Sequence, residues 1–175
     1  MSAPVHAAVG LGANLGDSIH AVTSAIQALG QLPETRLLSA SRLYRTPAWG
    51  RVEQPDFINA AVLLNTTLTA PALLAQLLEI ERNAGRQRGG DTAALRWGPR
   101  VLDLDLLLYG DAVINVPGLR VPHPYLHERA FALVPLAEIA AAMVFPGYGS
   151  VGEALQQVDV QGVEAIAVQA ASSAR

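Results

Sequence analysis

Arg96-Trp97-Gly98-Pro99-Arg100-Val101-Leu102-Asp103-Leu104-Asp105-Leu106-Leu107-Leu108-Tyr109-Gly110 is the segment around which the chain is organised. Val101 to Tyr109 is rich in branched and apolar residues, has no interior Gly or Pro, and lies between Pro99 and Gly110, which predicts a strand. Side chains alternate between the faces of a strand. Leu102, Leu104, Leu106 and Leu108 are therefore expected on one face, buried against helices. Val101, Asp103, Asp105 and Leu107 fall on the other. Two carboxylates thus share one face of a core strand, with Cα atoms about 6–7 Å apart. Buried charges need a partner, solvent or a metal. Two carboxylates suit Mg²⁺, which binds a few carboxylates together with substrate phosphates. Spacing alone equally allows two aspartates on a solvated face paired with arginine.

Composition narrows the function classes. The 175 residues are 51% hydrophobic, enough for one domain with a real core. We expect a single domain over residues 1–169 and a frayed tail at 170–175. The net charge is −3 without a run of like charges, which speaks against nucleic acid and anionic membranes as partners. There is no cysteine, hence no disulfide framework or thiolate chemistry. No secretory signal or apolar stretch of about 20 residues is visible, so a cytoplasmic protein is expected. All 12 basic side chains counted as Lys+Arg are arginines. Without lysine there is no Schiff-base chemistry and no P-loop. Phosphates, if handled here, fall to arginine forks and metal.

The remaining elements follow in order. Val5 to Leu11 reads as a strand running into Gly10-Leu-Gly12-Ala-Asn14-Leu-Gly16-Asp17. That glycine spacing is one residue too long for a dinucleotide fingerprint, and we read the glycines as a tight turn. Asp17 caps a helix whose apolar residues are Ile19, Val22, Ile26 and Leu29, stopped by Gly30. Arg36 to Arg45 and Phe57 to Leu68 are strands separated by a long loop. On the second of these, Phe57, Asn59, Ala61 and Leu63 share a face. An aromatic and a carboxamide side by side suit a flat heterocycle, and equally a core Phe and a capping Asn. Pro71 to Gly85 is a helix. Arg86 to Arg100 then concentrates four arginines, three glycines and Trp97, the pattern of a lid that closes on phosphate. Phe131 to Ala142 and Val151 to Val158 read as helices, and Gly162 to Val168 as a late strand. Strand, helix, strand, strand, helix, strand is the ferredoxin-like βαββαβ order. It implies an α+β fold with a largely antiparallel sheet, helices on one face and the active site on the other.

Several blocks then carry a family resemblance. They are Gly-Ala-Asn-Leu-Gly-Asp after the first strand, Ser41-Arg-Leu-Tyr-Arg-Thr-Pro47, Gln54-Pro-Asp-Phe-Ile-Asn59, Gly85-Arg-Gln-Arg88, Arg96 to Leu107, and Val121-Pro-His-Pro124. Together, in this order, they resemble 6-hydroxymethyl-7,8-dihydropterin pyrophosphokinase of folate biosynthesis. The resemblance implies transfer of pyrophosphate from ATP to the hydroxymethyl group of a reduced pterin, with release of AMP. It implies that Asp103 and Asp105 hold two Mg²⁺ ions with ATP. Arg86, Arg88 and Arg100 would be catalytic, neutralising phosphate charge. Thr46, Pro47, Phe57, Asn59, Trp97 and Phe131 would bind the pterin, the two Phe rings sandwiching it. Glu81, Leu106, His123 and Arg129, with Arg86, Arg88, Trp97 and Arg100, would contact the nucleotide. The implied partners are these small molecules alone, with the chain a monomer. Gly118 stands where the family carries a basic nucleotide contact, and Pro124 where some members have Tyr. Two rivals predict different outcomes: a non-catalytic ferredoxin-like binding module, and a Mg-dependent nucleotidyltransferase that would release free pyrophosphate.

Overall fold

A nine-residue strand, β1 (Val5–Ala13), forms the middle of the sheet and pairs antiparallel on both sides. The computed structural model describes residues 3–47, 55–88 (backbone alone for 86–88) and 101–166. After β1 come α1 (Ser18–Leu29), β2 (Thr35–Ala40), β3 (Tyr44–Thr46), β4 (Phe57–Thr66), α2 (Ala70–Arg88) and β5 (Asp103–Tyr109). Then follow a hairpin of β6 (Ile114–Val116) and β7 (Leu119–Val121), α3 (Ala130–Ala140), β8 (Val144–Phe145), β9 (Gly149–Ser150), α4 (Val151–Leu155) and β10 (Glu164–Ala165). Across the main sheet β4 and β5 flank β1, β2 and β3 both pair with β4, and β10 pairs with β3, every pairing antiparallel. This is the βαββαβ arrangement that the element order predicts.

The apolar pattern explains how the layers assemble. Val9 and Leu11 of β1, Val62 and Leu64 of β4, and Leu104 and Leu106 of β5 form one buried cluster with Val22 and Leu29 of α1 and Leu73 and Leu77 of α2. Burying each such side chain contributes about 1.5–3 kcal/mol. Asp17 starts α1 as predicted, its Oδ1 accepting the His20 N–H at 3.1 Å. The opposite face carries a second cluster, in which Ala8, Ala61, Leu107 and Leu108 meet Leu133 and Leu136 of α3 and Val151 and Ala154 of α4. Helices therefore cover part of both faces. The uncovered part of the second face is where the aspartates lie.

Four expectations are corrected. The strand expected over Arg36 to Arg45 is interrupted at residues 41–43. Between Ala40↔Val62 and Tyr44↔Asn59 the chain advances four residues against three on β4. Ser41 mends the ladder: its N–H donates to Ala61 O and its Oγ accepts the Ala61 N–H, both at 2.9 Å. The alternation of β5 also breaks. Ala8 pairs with Leu108 and Val9 with Leu106, so Leu107 is the extra residue of a bulge. Leu108 is thereby turned onto the face of Leu107, and Tyr109 takes its place against the helices. Third, α2 does not stop at Gly85 but runs to Arg88. A helix tolerates an interior Gly at about 1 kcal/mol, and Glu81 anchors this part of α2 to β5 by accepting the Leu104 N–H at 2.6 Å. Fourth, β1 continues through Ala13, so Gly10 and Gly12 are strand residues and not a turn.

Candidate active site

The site is built from three strands whose second-face residues are small or polar. On β1 these are Gly10 and Gly12, paired in register with Asp105 and Asp103 of β5. On its other side Gly12 pairs with Asn59. The missing side chains matter: a Cβ on Gly12 would lie 2.9 Å from Asn59 Nδ2, and one on Gly10 would lie 3.2 Å from Leu107 Cδ1. The glycines thus form a floor, and above it opens a pocket of about 330 Å³. Its walls include Thr46, Pro47, Phe57 and Asn59 on one side and Arg129, Phe131 and Ala132 on the other, with Asp103, Asp105 and Leu107 along β5.

Asn59 is buried, and its amide is held in one orientation. Thr46 Oγ1 donates to Asn59 Oδ1 at 2.9 Å, and Asn59 Nδ2 donates to Leu11 O at 3.5 Å. A fixed carboxamide beside half-buried Phe57 and Phe131 can read the edge of a flat, polar ring while the aromatics cover its faces. Just after β1, Asn14 ties the chain to the segment before β4 by donating from Nδ2 to Pro55 O at 3.1 Å.

A second pocket of about 320 Å³ lies across the edge of β5. Leu74, Leu104, Leu106, Gly118, Leu119, Arg120, His123 and Pro124 line it, together with Asp105. The segment after β7 is tied to β5 by the His123 N–H, which donates to Leu107 O at 3.0 Å. His123 Nδ1 accepts the Tyr125 N–H at 3.2 Å, so the neutral ring carries its proton on Nε2 and can donate from there. Burial holds the His123 pKa below its ordinary value; Asp105 opposes that shift and Arg129 adds to it.

Asp105 borders both pockets. Its carboxylate is 44% exposed, and Arg129 Nη1 lies 3.9 Å from Oδ2, a loose contact that leaves the oxygens accessible. Arg129 instead lies over the Phe131 ring at 5.5 Å and the Tyr125 ring at 5.7 Å. Two neighbouring carboxylates facing a Cβ-free strand fit a hard cation that keeps water and phosphate among its ligands. Among the described residues no group of three or more His, Cys, Asp or Glu offers a closed metal cage.

Most of the residues that the sequence nominated come together here. Thr46, Pro47, Phe57, Asn59, Asp103, Asp105 and Phe131 line the first pocket, and Leu106 and His123 the second. Arg129, expected on the nucleotide side, belongs to the wall of the first pocket. Glu81 lines neither pocket; it holds the backbone of β5 between the two aspartates. Arg86 and Arg88 fall in the last turn of α2, with no side-chain description. Trp97 and Arg100 lie outside the described residues, as do most of the proposed lid and the tail at 170–175. Sequence reasoning missed the glycine floor and Arg120. The floor's signal was present, since Gly10 and Gly12 occur at strand spacing beside an apolar run.

Antiparallel βαββαβ topology, a ring-sized pocket and a carboxylate pair of which Asp105 also borders a second pocket define a small-molecule enzyme of the ferredoxin-like class. Residues 8–141 match the family model described as 7,8-dihydro-6-hydroxymethylpterin-pyrophosphokinase (HPPK), and the chain belongs to that family. It is similar to the 2-amino-4-hydroxy-6-hydroxymethyldihydropteridine pyrophosphokinase of Methylorubrum extorquens, 44% identical over 158 residues that cover 90% of this chain and 96% of that protein. The protein of the same name from Pseudomonas aeruginosa is 40% identical over 156 residues, covering 89% and 93%. Among solved structures, wild-type Plasmodium falciparum HPPK-DHPS with Pteroate superposes with a TM-score of 0.67 at 13% identity, covering 96% of this chain. The same protein with SDX-DHP gives 0.67 at 12% identity. This chain spans 47% of the length of those fused chains, and at such identities the likeness concerns the fold.

Proposed function

We propose that this chain transfers pyrophosphate from ATP to the hydroxymethyl group of 6-hydroxymethyl-7,8-dihydropterin, yielding AMP and the pterin diphosphate in folate biosynthesis. One observation carries the reading: Asp105 borders two separate pockets of similar size, and Asp103 stands two residues away on the same strand face. Direct transfer between two bound molecules requires both to reach one charge-handling centre, and this arrangement supplies it.

The first pocket takes the pterin. Asn59, oriented by Thr46, reads the ring edge, and Phe57 and Phe131 cover its faces. The second pocket takes the nucleotide, with His123 and Arg120 beside its polar parts and Leu74 and Leu106 against the base or ribose. Gly118 leaves this pocket without the basic contact that the resemblance leads one to expect, and Arg120, two residues on in the same wall, supplies a cation. Asp103 and Asp105 would hold Mg²⁺, which neutralises phosphate charge and lowers the barrier to an in-line displacement. Holding the attacking oxygen and the β phosphate in one geometry is the protein's own contribution, since proximity removes much of the entropic cost. Arg86, Arg88 and Arg100 are assigned to the phosphates, and Trp97 to cover over the pterin. Glu81 acts at one remove, fixing the strand that carries both carboxylates.

The reading includes a monomer working in the cytoplasm. Among the described residues no helix is long and apolar enough to cross a membrane. Incubation with ATP, Mg²⁺ and the hydroxymethyl pterin tests the assignment. AMP is expected in step with pterin consumption, and none without divalent cation. ADP formation, or nucleotide turnover indifferent to the pterin, would refute it.

A further inference from the structure

The interruption between β2 and β3 leaves the backbone of Arg42 turned away from the sheet ladder, and a side chain from another layer meets it. Glu138, near the end of α3, accepts the Arg42 N–H with both oxygens, at 3.3 and 3.2 Å. Its Oε1 also accepts the Tyr44 hydroxyl at 2.5 Å and the Arg42 Nε–H at 3.4 Å. Arg42 closes the cluster by donating from Nη2 to the Tyr44 oxygen at 3.3 Å, its guanidinium lying 5.6 Å from the Tyr44 ring centroid.

The position of this cluster gives it meaning for the site. Tyr44 is paired with Asn59, and Thr46, two residues on, is paired with Phe57. One wall of the first pocket is therefore carried by β3 and its ladder to β4. The opposite wall, Phe131 and Ala132, belongs to the first turn of α3, two turns before Glu138 on the same helix. β3 is only three residues long. Glu138 thus ties a rigid helix bearing one wall to the short strand bearing the other.

We propose that Glu138 is a positioning residue that sets the width of the pterin pocket by clamping α3 to the Arg42–Tyr44 segment. This rests on the assignment of the first pocket to the pterin. The ion pair itself contributes little, since the Arg42 side chain is 63% exposed and water screens it. The bonds to the Tyr44 hydroxyl and the Arg42 backbone do the holding, because Tyr44 is buried and would otherwise lack an acceptor. A flat ring stacked between two walls is sensitive to their spacing, whereas the second pocket, across β5, does not depend on it.

Direct binding of 6-hydroxymethylpterin and of a non-hydrolysable MgATP analogue, measured separately by calorimetry, tests the clamp. Glu138→Ala is expected to weaken pterin binding about tenfold while changing nucleotide affinity less than twofold. Glu138→Gln keeps an acceptor for Tyr44 and is expected to restore most of the affinity. Tyr44→Phe, a milder change should Glu138→Ala fail to fold, is expected to weaken pterin binding roughly threefold, again selectively. Unchanged pterin affinity in Glu138→Ala and Tyr44→Phe, or equal losses for both ligands, would overturn the clamp. Failure of the unsubstituted chain to bind the pterin even in the presence of the MgATP analogue would overturn the functional assignment and the clamp with it.

Discussion

The two pockets on either side of β5 have nearly equal volumes, about 330 and 320 Å³, yet they are made differently. The first is set into the interior of the sheet. Its floor is backbone of β1, its polar group is a buried carboxamide fixed by a neighbouring hydroxyl, and its walls are aromatic. The second lies across the edge of β5, between α2, a three-residue-stranded hairpin and a proline-flanked turn, and its cation is exposed. A pocket of the first kind is preorganised and selects a rigid ligand by shape. One of the second kind accommodates a flexible, charged ligand through a few polar contacts. Among the described residues Asp105 alone of the charged ones borders both, which makes it the joint of the comparison.

Five substitutions would break or sharpen that contrast. Removing the joint should cost most. Asp105→Ala is expected to lower turnover at least about a thousandfold, roughly 4 kcal/mol of barrier, with Asp103→Ala close behind. Folding should be little affected, since the side chain is partly exposed and its contact to Arg129 is loose. Near-normal turnover in steady-state assays of either variant would remove the carboxylates from the chemistry.

Filling the floor of the first pocket comes next. Gly12→Val places new atoms against Asn59 and is expected to weaken pterin binding about a hundredfold, near 2.7 kcal/mol, with ATP affinity little changed. Phe131→Ala should cost the pterin about 1–2 kcal/mol, in the range of ring stacking on aromatics, and again spare the nucleotide. Equal losses for both ligands in calorimetry would mean that Phe131 serves the core and not the site. The smallest effect belongs to the second pocket. Arg120→Ala is expected to weaken MgATP binding about threefold to tenfold, as befits one exposed charge, while leaving pterin binding unchanged. A loss confined to the pterin would reverse the assignment of the two pockets.

What the sequence disclosed follows the same division. The pairing of Asp103 with Asp105 on one face follows from strand alternation, which local sequence controls. The helix faces of α1 and α2 are equally local, because the 3.6-residue period is written along the chain. Non-local partners produced the errors. The bulge at Leu107 is a property of the pairing with β1, so alternation carried Leu108 to the wrong face. Gly10 and Gly12 resemble turn glycines until Asn59 and Leu107 are known to stand beside them. Arg120 sits in a strand too short to show a pattern, and only folding brings it to the same pocket as Leu74 and Asp105.

The central claim is that two ligands meet at Asp105 and that two phosphates move between them as one unit. ATP radiolabelled in its β phosphate tests this most directly, with Mg²⁺, the hydroxymethyl pterin and chromatographic separation of the products. The account predicts that the label appears in the pterin product, leaving unlabelled AMP. Label retained in ADP would show transfer of the γ phosphate alone. Label released in free pyrophosphate would show nucleotidyl transfer. Either result would contradict it.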